Sequence, residues 1–237
     1  MITLHEHNSI EESIEFITAA LGKQIKQSDE KFSLAVAGGN TPKPLYQTLS
    51  NLDWPWENVQ VTLTDERWVD EDHAQSNGAM IKSTLLTNKA SSAYFLPLKN
   101  AQATALEGQQ SCETNLVTQM PSLNAVILGM GSDGHFASIF PKMKNLNDAL
   151  NIETSALCLA ANPPELEEGV VNERMTLTLP YLVSATQIYL LCTGEDKKTI
   201  IDKVMKKKGQ KYPLQFLFNK CEGNLTDTQL HICWSAE

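Results

Sequence analysis

Two periods run through the apolar positions of this chain. Ile10, Ile14, Ile17, Leu21 and Ile25 recur every three or four residues, which places them on one face of a helix with Asn8 or Ser9 as its cap. Short continuous apolar runs then predict buried strands over 32–37, 59–64 and 125–128, around Phe95, near 155–160 and over 187–192 and 230–234. Between them lie stretches of helical spacing. Thr41 is expected to cap a helix with Pro42 in its first turn and Leu45, Tyr46 and Leu49 on its buried side. Further helices are predicted over 77–86, 103–118 and 196–207. Lys206, Lys207 and Lys208 fit the carboxyl end of the last one, with Gly209 just past it.

Strands alternating with helices imply a mostly parallel sheet covered on both faces, a Rossmann-like three-layer α/β/α architecture. No internal repeat or low-complexity linker interrupts the pattern. The acidic, proline-bearing loop from Pro163 to Gly169 reads as a surface or lid segment, so residues 1–237 are expected to form a single domain.

Composition narrows the function classes. No apolar run approaches the length of a membrane span, and the start of the chain lacks the basic-then-apolar order of a signal peptide. Five scattered cysteines without a C-x-x-C pair predict reduced, buried thiols, a cytoplasmic protein and no zinc site. A net charge of -9 argues against nucleic acid as a partner. It leaves room for a small anionic substrate, because a pocket needs only a few local cations.

The chemistry gathers at strand ends. After the 125–128 strand comes Gly129-Met130-Gly131-Ser132-Asp133-Gly134-His135, then Ala137-Ser138 and Phe140-Pro141. Glycines let backbone lie close to a ligand, and a neutral imidazole is a natural proton acceptor near neutral pH. His135 is therefore the candidate base, Asp133 is a candidate to orient the loop or the imidazole, and N–H groups around Gly129 to Gly134 are candidate oxyanion donors. The stretch also fits G-x-G-x-x-G. A dinucleotide site needs a full helix after the glycines, however, and Pro141 forbids one. Ser138 is not in a nucleophile elbow.

Gly38, Gly39, Asn40 and Thr41 form a strand–turn–helix anion cradle. Asp65 and Arg67 stand at the next strand end, and Arg174 precedes an alternating run. Lys197 lies at a helix start, where the dipole disfavours a cation. His5, His7, His73 and His231 show no ligand cluster and read as structural or exposed.

In order from Ala37 to about Lys197, these segments resemble the 6-phosphogluconolactonase family. Asp65-Glu66-Arg67-Trp68-Val69, Gly129 through Pro141, Arg174 to Pro180 and Gly194-Glu195-Asp196-Lys197 carry the likeness. The resemblance implies hydrolysis of 6-phospho-D-glucono-1,5-lactone to 6-phospho-D-gluconate in the pentose phosphate pathway, with no cofactor and no metal. His135 and Asp133 would be catalytic. Gly38, Gly39, Asn40, Thr41, Asp65, Arg67, Gly131, Arg174 and Lys197 would bind substrate, with Arg67 reaching either phosphate or sugar hydroxyls. The alternatives are a glucosamine-6-phosphate deaminase or related isomerase, or a non-catalytic sugar-phosphate sensor. Deaminases typically continue Ala-Phe-Asn-Glu-Pro where this chain has Ala137-Ser138-Ile139-Phe140-Pro141, and a sensor would have no need of His135. Ala37 and Asn40 replace two serines usual in the first loop, and Asn162-Pro163-Pro164 lacks a lysine that many members carry. Only three residues follow Trp234, so no contact from a longer tail is expected.

Overall fold

Seven strands pair side by side, every neighbour parallel, into a sheet whose central members are buried along their whole length. The computed structural model describes residues 1–164, 166, 168–209, 211–222 and 227–237. In chain order the elements are β1 (Ile2–His7), α1 (Ile10–Gln27), β2 (Phe32–Val36), α2 (Lys43–Ser50), β3 (Val59–Leu63), β4 (Asp65–Arg67), α3 (Asn77–Thr84), β5 (Tyr94–Leu96) and α4 (Ala105–Gln119). There follow β6 (Ala125–Leu128), α5 (Leu146–Leu150), β7 (Cys158–Ala161), β8 (Arg174–Leu177), α6 (Leu179–Leu182), β9 (Gln187–Thr193), α7 (Glu195–Met205), α8 (Pro213–Cys221) and β10 (Gln229–Ser235).

The large sheet has the order β1-β10-β9-β6-β2-β3-β5 and is flanked by helices, the α/β fold that the apolar runs predicted. Ile14, Ile17, Leu21 and Ile25 of α1 are buried, as their spacing requires. From β2 the chain builds toward β3 and β5, whereas from β6 it builds the other way, toward β9 and β10. Between β2 and β6 the connections therefore diverge and leave a crevice at the strands' carboxyl ends, the usual ligand position in such sheets.

The structure departs from the sequence reading in several places. The strand near 155–160 forms as β7, but it joins a separate antiparallel sheet of order β4-β8-β7. Strand β1 was not foreseen, because its mixed side chains carry little apolar signal; it is held as an edge by β10, from Ile2 against Leu230 to His7 against Ser235. Helix α8 was missed as well.

Thr41 does not cap α2. The cap position is Pro42, with no side-chain bond, because Asn40 to Lys43 turn first, Lys43 N–H donating to Asn40 O at 3.2 Å. Ser76 caps α3 by accepting from Ala79 N–H. Past α7 the left-handed residue is Lys207 (φ 55°) rather than Gly209. Lys208 N–H reaches back to Lys203 O and Lys207 N–H to Val204 O, a paired closure that satisfies the last carbonyls.

All five cysteines are free and buried. Among the described residues no helix is long and apolar enough to cross a membrane. Glu165 and Glu167 of the acidic loop lie outside the described residues, and Glu168 is exposed.

Candidate active site

The turns after β2, β6 and β9 and one face of the β4–β8 pair enclose a cleft of about 200 Å³ at the crevice. Gly38, Gly39, Asn40, Thr41, Asp65, Arg67, Gly131, His135, Arg174 and Lys197 all line it. Asp133 stands behind His135 rather than on the cleft wall.

The Asp133 carboxylate touches the imidazole through Oδ1, 2.6 Å from Nδ1 of His135. The same oxygen accepts from His135 N–H at 3.1 Å. Partial burial raises the Asp133 pKa, but hydrogen bonding and attraction from His135 outweigh it and hold the carboxyl below its ordinary value. An ionised carboxylate only accepts, so Nδ1 carries the proton and the lone pair of the neutral ring is on Nε2. The ring lies against Phe140, centroids 4.1 Å apart, and over Gly131. A Cβ there would sit 2.2 Å from Cε1 and 2.3 Å from Nδ1, so only glycine admits the imidazole.

The turn offers fewer oxyanion donors than the sequence suggested. Gly131 N–H is spent on His135 O and Gly134 N–H on Gly131 O, both at 3.0 Å. These bonds make the turn a rigid mount for the ring. By contrast, no partner among the described residues accepts from the N–H groups of Gly38, Gly39, Asn40 or Thr41, and all four residues line the cleft.

In the antiparallel sheet Arg67 is paired directly with Arg174 across β4 and β8. Like charges facing each other across strands repel, and one nearby carboxylate is the chief relief: Asp65 Oδ2 lies 4.0 Å from Arg174 Nη1. Ser138 Oγ donates to Asp65 Oδ2 at 2.6 Å and accepts from Arg174 Nη1 at 3.5 Å. Ser138 is fully buried and engaged, which suits a brace and not a nucleophile. Burial pushes the Arg174 guanidinium below its usual pKa while Asp65 opposes the shift; a group that starts above about 12 stays charged at neutral pH. The Nε atoms of both arginines are buried without a hydrogen-bond partner among the described residues.

Lys197 is in the first turn of α7, its Nζ 3.3 Å from Asp196 Oδ2. Asp196 is more exposed than the lysine, 54% against 23% at the side chain, so the pair is partly solvated. Among the described residues the cleft wall therefore carries three cations, Arg67, Arg174 and Lys197, against one carboxylate, Asp65. That imbalance favours an anion. The Cys192 thiol also lines the cleft, but burial pushes its pKa up to about 12, too high for a thiolate nucleophile at neutral pH.

Sequence reasoning passed over Asn77, which lines the cleft and hydrogen-bonds Arg67 Nη1 through Oδ1 at 2.8 Å. The sequence places it only at the start of a predicted helix, and Ser76 supplies that helix's cap, which leaves the Asn77 side chain for Arg67. His5, His7 and His231 come together away from the cleft, His5 Nε2 lying 3.1 Å from His231 Nδ1. The β1–β10 pairing creates this cluster, and the sequence does not display it.

Comparison with known proteins places this geometry in context. The family model described as glucosamine-6-phosphate isomerases/6-phosphogluconolactonase matches residues 5–226. A 6-phosphogluconolactonase of Neisseria meningitidis serogroup A is 30% identical over 223 residues, covering 92% of this chain and 95% of its own. One of Caulobacter vibrioides is 36% identical over 172 residues, 73% of each. The crystal structure of a 6-phosphogluconolactonase from Shewanella baltica superposes with a TM-score of 0.89 at 32% identity, over 100% of this chain and 98% of that one.

Proposed function

Because the chain belongs to the glucosamine-6-phosphate isomerase/6-phosphogluconolactonase family, we propose that its cleft binds a phosphorylated sugar lactone and opens it with His135 as base. The reaction is hydrolysis of 6-phospho-D-glucono-1,5-lactone to 6-phospho-D-gluconate, a step of the pentose phosphate pathway. One observation carries the assignment of roles. The Asp133–His135 pair leaves a basic Nε2 beside a cleft whose charged wall is three cations to one carboxylate.

The chemistry follows from that arrangement. Water attacks the lactone carbonyl carbon as Nε2 of His135 takes its proton, giving a tetrahedral oxyanion. The carbonyl re-forms as the bond to the ring oxygen breaks, and the imidazolium returns the proton to that oxygen. The product carboxyl then ionises. Asp133 holds the tautomer and stabilises the imidazolium. Arg174, Lys197 and the free N–H groups of Gly38 to Thr41 hold the 6-phosphate. Arg67 and Asp65 complete the wall, and Gly131 makes room for the ring. A δ-lactone is a reactive ester, so this demand is modest and calls for neither metal nor cofactor.

In this reading the chain acts as one sugar-phosphate-binding domain over residues 1–237, in the cytoplasm, with no nucleic-acid partner. The net charge of -9 and the buried free cysteines support it. The test is an assay on fresh phosphorylated lactone with and without a strong chelator, repeated for His135→Ala. Turnover is expected to survive chelation and to fall about 10²–10⁴-fold in the variant, the usual range for a lost general base. A folded His135→Ala enzyme with near-normal turnover rules out His135 as the base.

A further inference from the structure

Asn77 is almost fully buried and touches three parts of the site at once. Its backbone N–H donates to Glu66 Oε1 at 2.7 Å, fixing the start of α3 to β4. Its Nδ2 donates to Asp65 O at 2.8 Å, and its Oδ1 accepts from Arg67 Nη1 at 2.8 Å. The orientation of the carboxamide is thereby determined. Exchanging oxygen and nitrogen would set an NH₂ against the arginine's donors and an oxygen against a carbonyl. The same side chain also presses on the first turn: a Cβ at position 38 would lie 1.9 Å from Asn77 Oδ1, so Gly38 is what lets them meet.

Arg67 is held from one side. Its Nη1 is committed to Asn77 Oδ1 and to Gln75 O, at 2.8 and 2.9 Å. Among the described residues neither its buried Nε nor its Nη2 has an acceptor. An arginine in water swings freely; here repulsion from the opposed Arg174 would drive it further. The Asn77 carboxamide opposes both.

We propose that Asn77 is a positioning residue: it acts through Arg67, fixing where that guanidinium sits in the cleft wall and tying it to the Gly38 turn. The proposal rests on the lactonase reading for its substrate and adds a residue that acts on it without touching it.

A double-mutant cycle tests it with Asn77→Ala, Arg67→Ala and the pair, read as kcat/KM on the phosphorylated lactone and as affinity for 6-phosphogluconate by calorimetry. Loss of one hydrogen bond to a charged group predicts a fall of about 10-fold for Asn77→Ala, mainly in KM. In the Arg67→Ala background the same change should cost less than about 2-fold, because the residue through which it acts is gone. A purely structural asparagine lowers activity by the same factor in both backgrounds, and that result overturns the proposal. So does an Arg67→Ala enzyme with unchanged kinetics and product affinity. If Asn77→Ala does not fold, the isosteric Asn77→Asp is used in the same cycle. That variant also sets an oxygen against Asp65 O, so only the part of its loss that disappears without the arginine counts for the proposal, and the absence of any such part overturns it. Calorimetry separates the two readings. A wild type that binds the product without opening the lactone defeats the catalytic reading while the cycle on affinity still decides Asn77.

Discussion

Asp133 Oδ1 lies 2.6 Å from His135 Nδ1, and this contact decides which nitrogen of the ring is basic. The carboxylate accepts on Nδ1, so Nε2 keeps its lone pair. In the proposed mechanism catalysis then depends on a residue that does not line the cleft. Asp133→Asn keeps the shape but replaces the charge by an amide, which stabilises an imidazolium poorly and can turn its NH₂ toward Nδ1. kcat on the phosphorylated lactone is expected to fall by roughly 10²-fold, with KM little changed. An unchanged kcat in steady-state kinetics would remove Asp133 from the mechanism.

The same contact has a signature in stability. The Asp133 carboxyl is held below its ordinary value, near 4, by hydrogen bonding and attraction from His135 despite partial burial. A group whose folded pKa is depressed adds stability that is present above its unfolded pKa and is lost as pH falls through the folded one. Thermal melts across the acid range should therefore lose less stability in Asp133→Asn than in wild type. The side chain is half exposed, so the difference is small and of one sign only. A steeper acid limb in the variant contradicts the assignment.

Gly131→Ala places a methyl group 2.2 Å from His135 Cε1 and 2.3 Å from Nδ1. The ring must move, and misplacing a catalytic group by about 1 Å commonly costs on the order of 10²-fold. The backbone there needs no unusual torsion, so the melting temperature should shift little. The expected pair of readings is low kcat with a near-native melt. Normal turnover would show that the imidazole has another productive position.

Lys197→Ala tests phosphate recognition. A charge-assisted hydrogen bond is worth roughly 1.5–3 kcal/mol, or about 10–150-fold in affinity. The phosphorylated lactone should lose that factor in kcat/KM. Unphosphorylated gluconolactone, already a much poorer substrate, should hardly respond. Equal losses on both substrates would place Lys197 in the fold or the chemistry instead.

Glu66 supports the site from below. It is 2% exposed, and its two oxygens accept from the N–H groups of Arg67, Asn77 and Gly78 at 2.7–2.8 Å. Burial raises its pKa, and these donors pull the other way. Glu66→Gln has one acceptor oxygen where three donors converge, leaving at least one buried N–H unpaired at a cost of about 1–3 kcal/mol. At roughly 2–4 °C per kcal/mol for a chain of this size, the melting temperature should drop by several degrees. No drop in a calorimetric scan would mean that water or local movement replaces the lost acceptor.

What the sequence by itself determined is local. The buried runs of β2, β3, β6 and β9 announce a parallel sheet because a strand covered on both faces is apolar throughout. The glycine turn around His135 and the Asp133–His135 pair are legible because their partners are two residues apart. Tertiary structure decided what depends on distant segments meeting. Strand β4 has three residues, too few for any period to show, and it exists because Arg174 to Thr176 pair with it. That pairing sets Arg67 against Arg174, buries Ser138 beneath Asp65, and concentrates positive charge on one cleft. Asn77 could be read only as a helix start until the fold laid it between Gly38 and Arg67. Hydrophobic periodicity records which face of an element is covered. It carries no record of which element does the covering, and the charges gathered on this cleft belong to that second kind of information.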